Sequence, residues 1–190
     1  MSLDGAVKLI KDGQVGILPT DTVYGLVCSA ANMESAAKLY NLKKRQQKPG
    51  TIVAANIDQL VNLGFKARYL KAVQHFWPGP ISIVIPCVDL AYLHLGEGGV
   101  AVRIPSDKEF SKFLQKTGAL LTTSANLPDQ PTADNIKQAQ RYFGKNVDFY
   151  IDGGDLSNRE PSTVIRIVDD AVEILRQGAV KIDESGKILK

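Results

Sequence analysis

Val15-Gly16-Ile17-Leu18-Pro19-Thr20-Asp21-Thr22-Val23-Tyr24-Gly25-Leu26-Val27-Cys28-Ser29-Ala30 is the stretch whose reading decides the fold class. Residues 15–18 read as a short apolar strand stopped by Pro19, and residues 23–30 as a second strand directly after Thr20-Asp21-Thr22. Upstream, Ser2 can cap a helix with Leu3, Ala6, Val7 and Ile10 on one face, ended by Gly13. Downstream, Asn32 caps a helix through Ala36, Leu39 and Tyr40 that ends in Lys43-Lys44-Arg45. Residues 51–55 read as a buried strand, Asn56 caps a short helix to Gly64, and residues 67–76 form another helix, broken by Trp77-Pro78-Gly79-Pro80. Strands are predicted at 81–85, 100–104 and 120–123, with 89–99 an irregular loop. Ser106-Asp107-Lys108-Glu109 reads as a capping box whose helix runs to Gly118, and residues 132–143 as a helix closed by Gly144. Strands at 149–151, 162–168 and 172–175 finish the order, the last two separated by Asp169-Asp170-Ala171. Helix-separated strands mixed with hairpin-like pairs predict an α/β fold with a mixed sheet and helices packed on it, not a purely parallel doubly wound one.

The 190 residues suit one domain, 1–190, with 44% hydrophobic and 23% charged residues. A formal charge of +3 permits nucleic-acid contact without demanding it. Two cysteines, Cys28 and Cys87, and two histidines, His75 and His94, cannot supply a Cys/His zinc cage. The thiols are expected to be buried and reduced, as in a cytoplasmic protein. Residues 1–4 have no signal-peptide character, and no apolar run approaches the roughly 20 residues of a membrane helix. The Walker phosphate loop and G-x-S-x-G are absent, and Gly96-Glu97-Gly98 precedes a strand instead of joining a strand to a helix.

Five polar constellations remain. Pro19-Thr20-Asp21-Thr22 puts two hydroxyls and a carboxylate at a strand end, either as a ligand site or as a polar turn. Lys43, Lys44, Arg45 and Lys48 either complement a helix C-terminus or clamp a polyphosphate. Alternation puts Arg103 opposite Val100, Val102 and Ile104, facing solvent or, if that face lines a cavity, a carboxylate or phosphate. In Leu120-Leu121-Thr122-Thr123-Ser124-Ala125-Asn126 an apolar strand switches to small hydroxyls and an amide, which cap the strand or bind phosphate. Arg176 shares an alternation face with Val172 and Ile174 and so needs an anion, from the protein or from a ligand. Residues 151–160, with Gly153, Gly154 and Asn158, have the composition of a mobile flap.

Taken in order, these segments resemble the YrdC family of threonylcarbamoyl-AMP synthases. The family pattern P-T-[DE]-T-x-Y-G-L reads here as residues 19–26, K-x-R as 43–45, K-P as 48–49 and P-G-P as 78–80. A-V-R-x-P reads as 101–105, T-S-A-N as 123–126, P-S-T as 161–163 and L-R-x-G as 175–178. The chain departs from the pattern at Gln46-Gln47 after Arg45, at Leu127-Pro128-Asp129 after Asn126, and at Ser82, where Thr is usual. The resemblance implies a YrdC-like twisted mixed sheet around a deep, positively charged cavity. It implies synthesis of L-threonylcarbamoyl-AMP from L-threonine, bicarbonate (or CO2) and ATP, with release of pyrophosphate. The product then serves threonylcarbamoyladenosine formation in tRNA through downstream threonylcarbamoyl-transfer proteins. By family position, Lys43, Arg45, Ser124 and Asn126 are the catalytic and ATP-binding set, with Thr132 and Arg176 as further nucleotide contacts. Thr22, Lys48, Arg103 and Ser162 fall on the threonine side. Mg²⁺ is expected on the phosphates, with few or no protein ligands. Two other readings stand beside this one: a double-stranded RNA or tRNA-binding module without chemistry, and a carbamoyl-transfer domain like those of hydrogenase-maturation proteins. The latter carry Cys-rich segments that this chain lacks.

Overall fold

A computed structural model describes residues 1–44, 48–169, 171–183 and 185–189. The helices are α1 (Leu3–Lys11), α2 (Met33–Leu42), α3 (Ile57–Leu63), α4 (Ala67–Val73), α5 (Ala91–His94), α6 (Lys108–Thr117) and α7 (Ile136–Phe143). The strands are β1 (Gly16–Pro19), β2 (Tyr24–Ser29), β3 (Thr51–Val53), β4 (Ile81–Pro86), β5 (Gly99–Arg103), β6 (Leu120–Ser124), β7 (Phe149–Tyr150), β8 (Thr163–Val168) and β9 (Ala171–Arg176).

They form one nine-stranded sheet in the order β7-β1-β2-β6-β3-β5-β4-β8-β9. Three pairs are parallel, β1 with β7, β3 with β5 and β4 with β8. The others are antiparallel, so the mixed sheet expected from the sequence is what forms.

The caps explain most helix starts. Side chains of Ser2, Asn32 and Asn56 each accept a backbone N–H three residues on, as read from the sequence. Two starts differ. At α6 the cap is Asp107, whose Oδ1 accepts from Phe110 N at 2.7 Å. The cap is therefore shifted by one residue, no capping box forms because Phe110 takes the third position, and Glu109 pairs with Lys112 instead. Helix α7 begins at Ile136, not at 132, because Ala133 N–H is already given to Ala125 O at 2.9 Å and Asn135 caps Gln138. Within the expected loop 89–99, residues 91–94 wind into α5. Imidazole Nδ1 of His94 then accepts Gly96 and Gly98 N–H, both at 3.1 Å, which curls the following turn.

Period-2 alternation splits the core between the two sheet faces. Ile17, Leu26, Cys28, Leu121, Val100 and Val102 join the buried faces of α2, α4 and α7. On the other face, Leu18, Val27, Val53 and Leu120 pack with Ala6 and Ile10 of α1 and with Phe110, Phe113 and Leu114 of α6. Both cysteines are buried free thiols, and desolvation pushes Cys28 up to about 12 and Cys87 up to about 11. They are unreactive core residues.

Candidate active site

The α1/α6 face changes character partway along its strands. Under the two helices the strands present Val27, Leu120 and Val53. Two residues further along each strand the same face carries Gly25, Thr122 and Thr51. The register aligns these small groups: Gly25 opposes Ser124, and Thr51 opposes both Thr122 and Ala101. Small side chains leave a trough where large ones would pack. The result is a cleft of about 150 Å³ lined by Thr20, Thr22, Gly25, Thr51, Ala101, Arg103, Thr122, Ser124, Ser162, Val164 and Arg176, among others. At about 30 Å³ per water, that is the space of about five waters. A hollow of about 520 Å³ adjoins it, sharing Pro49, Gly50, Ala101 and Val164 and carrying Lys48 and Arg166 on its rim. A wider groove of about 910 Å³, lined by Trp77, Pro105 and Lys108 among others, holds none of the candidate residues.

Arg103 resolves its two readings in favour of the cavity. It is 4% exposed, and Nη2 donates to Asp21 Oδ1 at 2.9 Å while Nη1 lies 3.4 Å from Ser82 Oγ. Its Nε–H is buried without an acceptor among the described residues. Asp21 and Ser82 were not singled out by the sequence reading for this contact. They lie 82 and 21 residues from Arg103, so no local pattern could show it.

Arg176 corrects its sequence reading. Ile165 opposes Ile174, but Val164 opposes Arg176, so β9 carries one extra residue, a β-bulge at Leu175. The bulge takes Arg176 off the face of Val172 and Ile174 and turns it to the cleft. There Nε and Nη2 both reach Ser162 O, at 3.1 and 2.7 Å. The Ser162 hydroxyl, 2.9 Å from that of Ser82, completes this wall.

At the opposite wall, Thr20 and Thr22 hydroxyls lie 3.1 Å apart. The Tyr24 hydroxyl donates to Gly154 O at 2.9 Å and accepts from Gly153 N–H at 2.8 Å. Burial pushes this phenol above its ordinary value. A Cβ on Gly153 would stand 2.5 Å from Pro19 Cβ. The near end of the expected flap is therefore tied to the strand end, not loose.

Lys43 is 3% exposed. Its Nζ donates to Ser124 O at 3.0 Å, to Asn126 Oδ1 at 2.7 Å and to Asn126 O. The Ser124 hydroxyl reaches the same Asn126 Oδ1 at 2.7 Å, and the Asn126 amide nitrogen donates to Gln130 O. Lys43 thus organises the turn that presents Ser124 to the cleft. Lys48 is exposed at the adjoining hollow. Thr132 lines neither cleft nor hollow, and Arg45 lies outside the described residues. Among the described residues no three His, Cys, Asp or Glu side chains converge on a cation position.

Comparisons with known proteins identify the family and the fold. The family model described as "Telomere recombination", which groups Sua5, YciO and YrdC proteins, matches residues 8–178. A threonylcarbamoyl-AMP synthase from Marinobacter nauticus is 34% identical over 171 residues, spanning 86% of this chain and 90% of that protein. Sua5 of P. abyssi, in a crystal structure complexed with L-threonine, superposes with a TM-score of 0.82 at 26% identity, over 95% of this chain and 55% of that one. E. coli YciO superposes with a TM-score of 0.78 at 22% identity, over 93% of this chain and 89% of that one, a likeness of fold alone.

Proposed function

Because the chain belongs to the Sua5/YciO/YrdC family, we propose that it is a nucleotidyltransferase making L-threonylcarbamoyl-AMP from L-threonine, bicarbonate or CO2 and ATP. Pyrophosphate is the other product. The observation that carries this reading is the cleft itself. A small trough lined by hydroxyls ends on a buried arginine, and a relative that shares this fold forms a complex with L-threonine.

Threonine enters with its carboxylate on the Arg103 guanidinium, where a planar fork matches a carboxylate. Thr22 and Ser162 supply hydroxyls on either side. The threonine amine, once neutral, adds to CO2 and loses a proton, giving the carbamate. A carbamate oxygen attacks the α-phosphorus of ATP, and the bond to the β-phosphate oxygen breaks to release pyrophosphate. The nucleotide occupies the adjoining hollow, with Lys48 at its rim, and Arg176 reaches it from the wall of the cleft. Ser124, fixed by Asn126 and Lys43, faces the α-phosphate, and Arg45 is assigned to the triphosphate by its place in the K-x-R motif. Catalysis on this scheme is positioning and charge stabilisation. Mg²⁺ arrives on the ATP phosphates. No helix among the described residues is long and apolar enough to cross a membrane, and we place the reaction in the cytoplasm, where the product passes to transfer proteins that act on tRNA.

The direct test is pyrophosphate release from ATP. Release is expected only when L-threonine and bicarbonate are both present. Equal release without threonine would refute the assignment.

A further inference from the structure

The Asp21–Arg103 contact joins the β1–β2 turn to the end of β5 and is almost fully withdrawn from water, its side chains 6% and 4% exposed. Of the two residues only Arg103 lines the cleft. Asp21 stands behind it, holding Nη2 at 2.9 Å, while Ser82 stands near Nη1 at 3.4 Å. Two ends of the guanidinium fork are therefore turned to fixed protein oxygens. The Nε–H is buried with no acceptor among the described residues.

A guanidinium this deeply buried needs an anion beside it even before any ligand arrives. It also recognises a carboxylate well only if its plane is set in advance. One side chain meets both requirements. We propose that Asp21 is a positioning residue for amino-acid recognition. It fixes the plane of the Arg103 guanidinium so that the remaining N–H groups meet the substrate carboxylate, and it does not touch the substrate. This rests on the reading of Arg103 as the carboxylate partner given above.

The competing role is purely structural, a clamp between a turn and a strand. Such a clamp would change stability, not the threonine KM of the folded enzyme. The test is steady-state pyrophosphate release with threonine and ATP varied separately, on wild type, Asp21→Ala, Asp21→Asn, Asp21→Glu and Arg103→Met. Asp21→Ala is expected to raise the threonine KM at least about tenfold while the ATP KM moves less than about twofold. Asp21→Glu is expected to recover most of the loss. Asp21→Asn keeps the Oδ1 acceptor with little change of shape, so it remains measurable if the alanine variant does not fold, and it is expected to fall between. A threonine KM that is unchanged or lowered in both Asp21→Ala and Asp21→Asn overturns the proposal. So does an equal rise in both KM values. Arg103→Met separates the two levels. If it leaves the threonine KM at wild type, the carboxylate reading itself fails. If it raises that KM and the Asp21 variants do not, only the positioning role fails.

Discussion

Lys43→Met is expected to lower kcat/KM about a hundredfold and the melting temperature by about 5–10 °C. The side chain is of similar length, so no large void forms, but the ammonium is lost. Ser124 O, Asn126 O and Asn126 Oδ1 then lose a charged donor inside the protein. A buried polar group left unpaired costs about 1–3 kcal/mol, and at this chain length each kcal/mol moves the transition by about 2–4 °C. The catalytic loss is the larger effect, because the Ser124–Asn126 turn is what presents a hydroxyl to the cleft. A misplacement of about 1 Å there is worth about a hundredfold. Lys43→Arg is expected to rescue little, since a planar fork does not fit three oxygens arranged around a point charge. Wild-type kinetics in Lys43→Met, with its structure intact, would remove Lys43 from the account.

Gly178→Ala is expected to be the most damaging single-methyl change in the cleft region. A Cβ at this position would lie 2.2 Å from Pro161 O and 2.7 Å from both the carbonyl carbon and the oxygen of Ser162. All three are backbone atoms and cannot rotate aside. Overpacking of this kind costs at least about 1–3 kcal/mol. Relief requires the Pro161–Ser162 segment to move, and with it the carbonyl that Arg176 grips. We expect a fall in melting temperature of about 5 °C or more and at least a tenfold loss of threonine-dependent turnover in whatever folds. Gly79→Ala is the matched control, since its nearest neighbour would be Phe76 O at an ordinary 3.7 Å, and it should be near neutral. Calorimetric melting of the two variants checks both statements. Equal melting temperatures would contradict the packing argument.

These two positions also show what the sequence can and cannot reveal. Gly178 belongs to a pattern visible in the chain, but the reason for glycine there lies across a turn, in the backbone of residues 161–162. Lys43 was legible as a candidate, at a helix C-terminus or on a polyphosphate, but the oxygens of Ser124 and Asn126 that its ammonium reaches lie 81 and 83 residues away and leave no local signal. Local signals were read well. The caps at Ser2, Asn32 and Asn56 and the alternation of residues 100–104 depend only on neighbours in the chain. Besides the α6 cap and the short α5, which are local, the misreadings came where distant segments decide. The face of Arg176 is set by a bulge against β8. The start of α7 is set by a hydrogen bond to Ala125. The trough exists because Gly25, Thr51, Ala101 and Ser124, from four strands, fall on one face in register. Each of these residues is unremarkable by itself.

The central claim is that the cleft holds an amino acid by its carboxylate through Arg103. Calorimetric titration of L-threonine into wild type and Arg103→Met tests it most directly. We expect saturable binding to wild type, with a matching rise in thermal stability, and binding to a folded Arg103→Met weaker by at least about tenfold. Equal affinity in the two proteins would contradict the account.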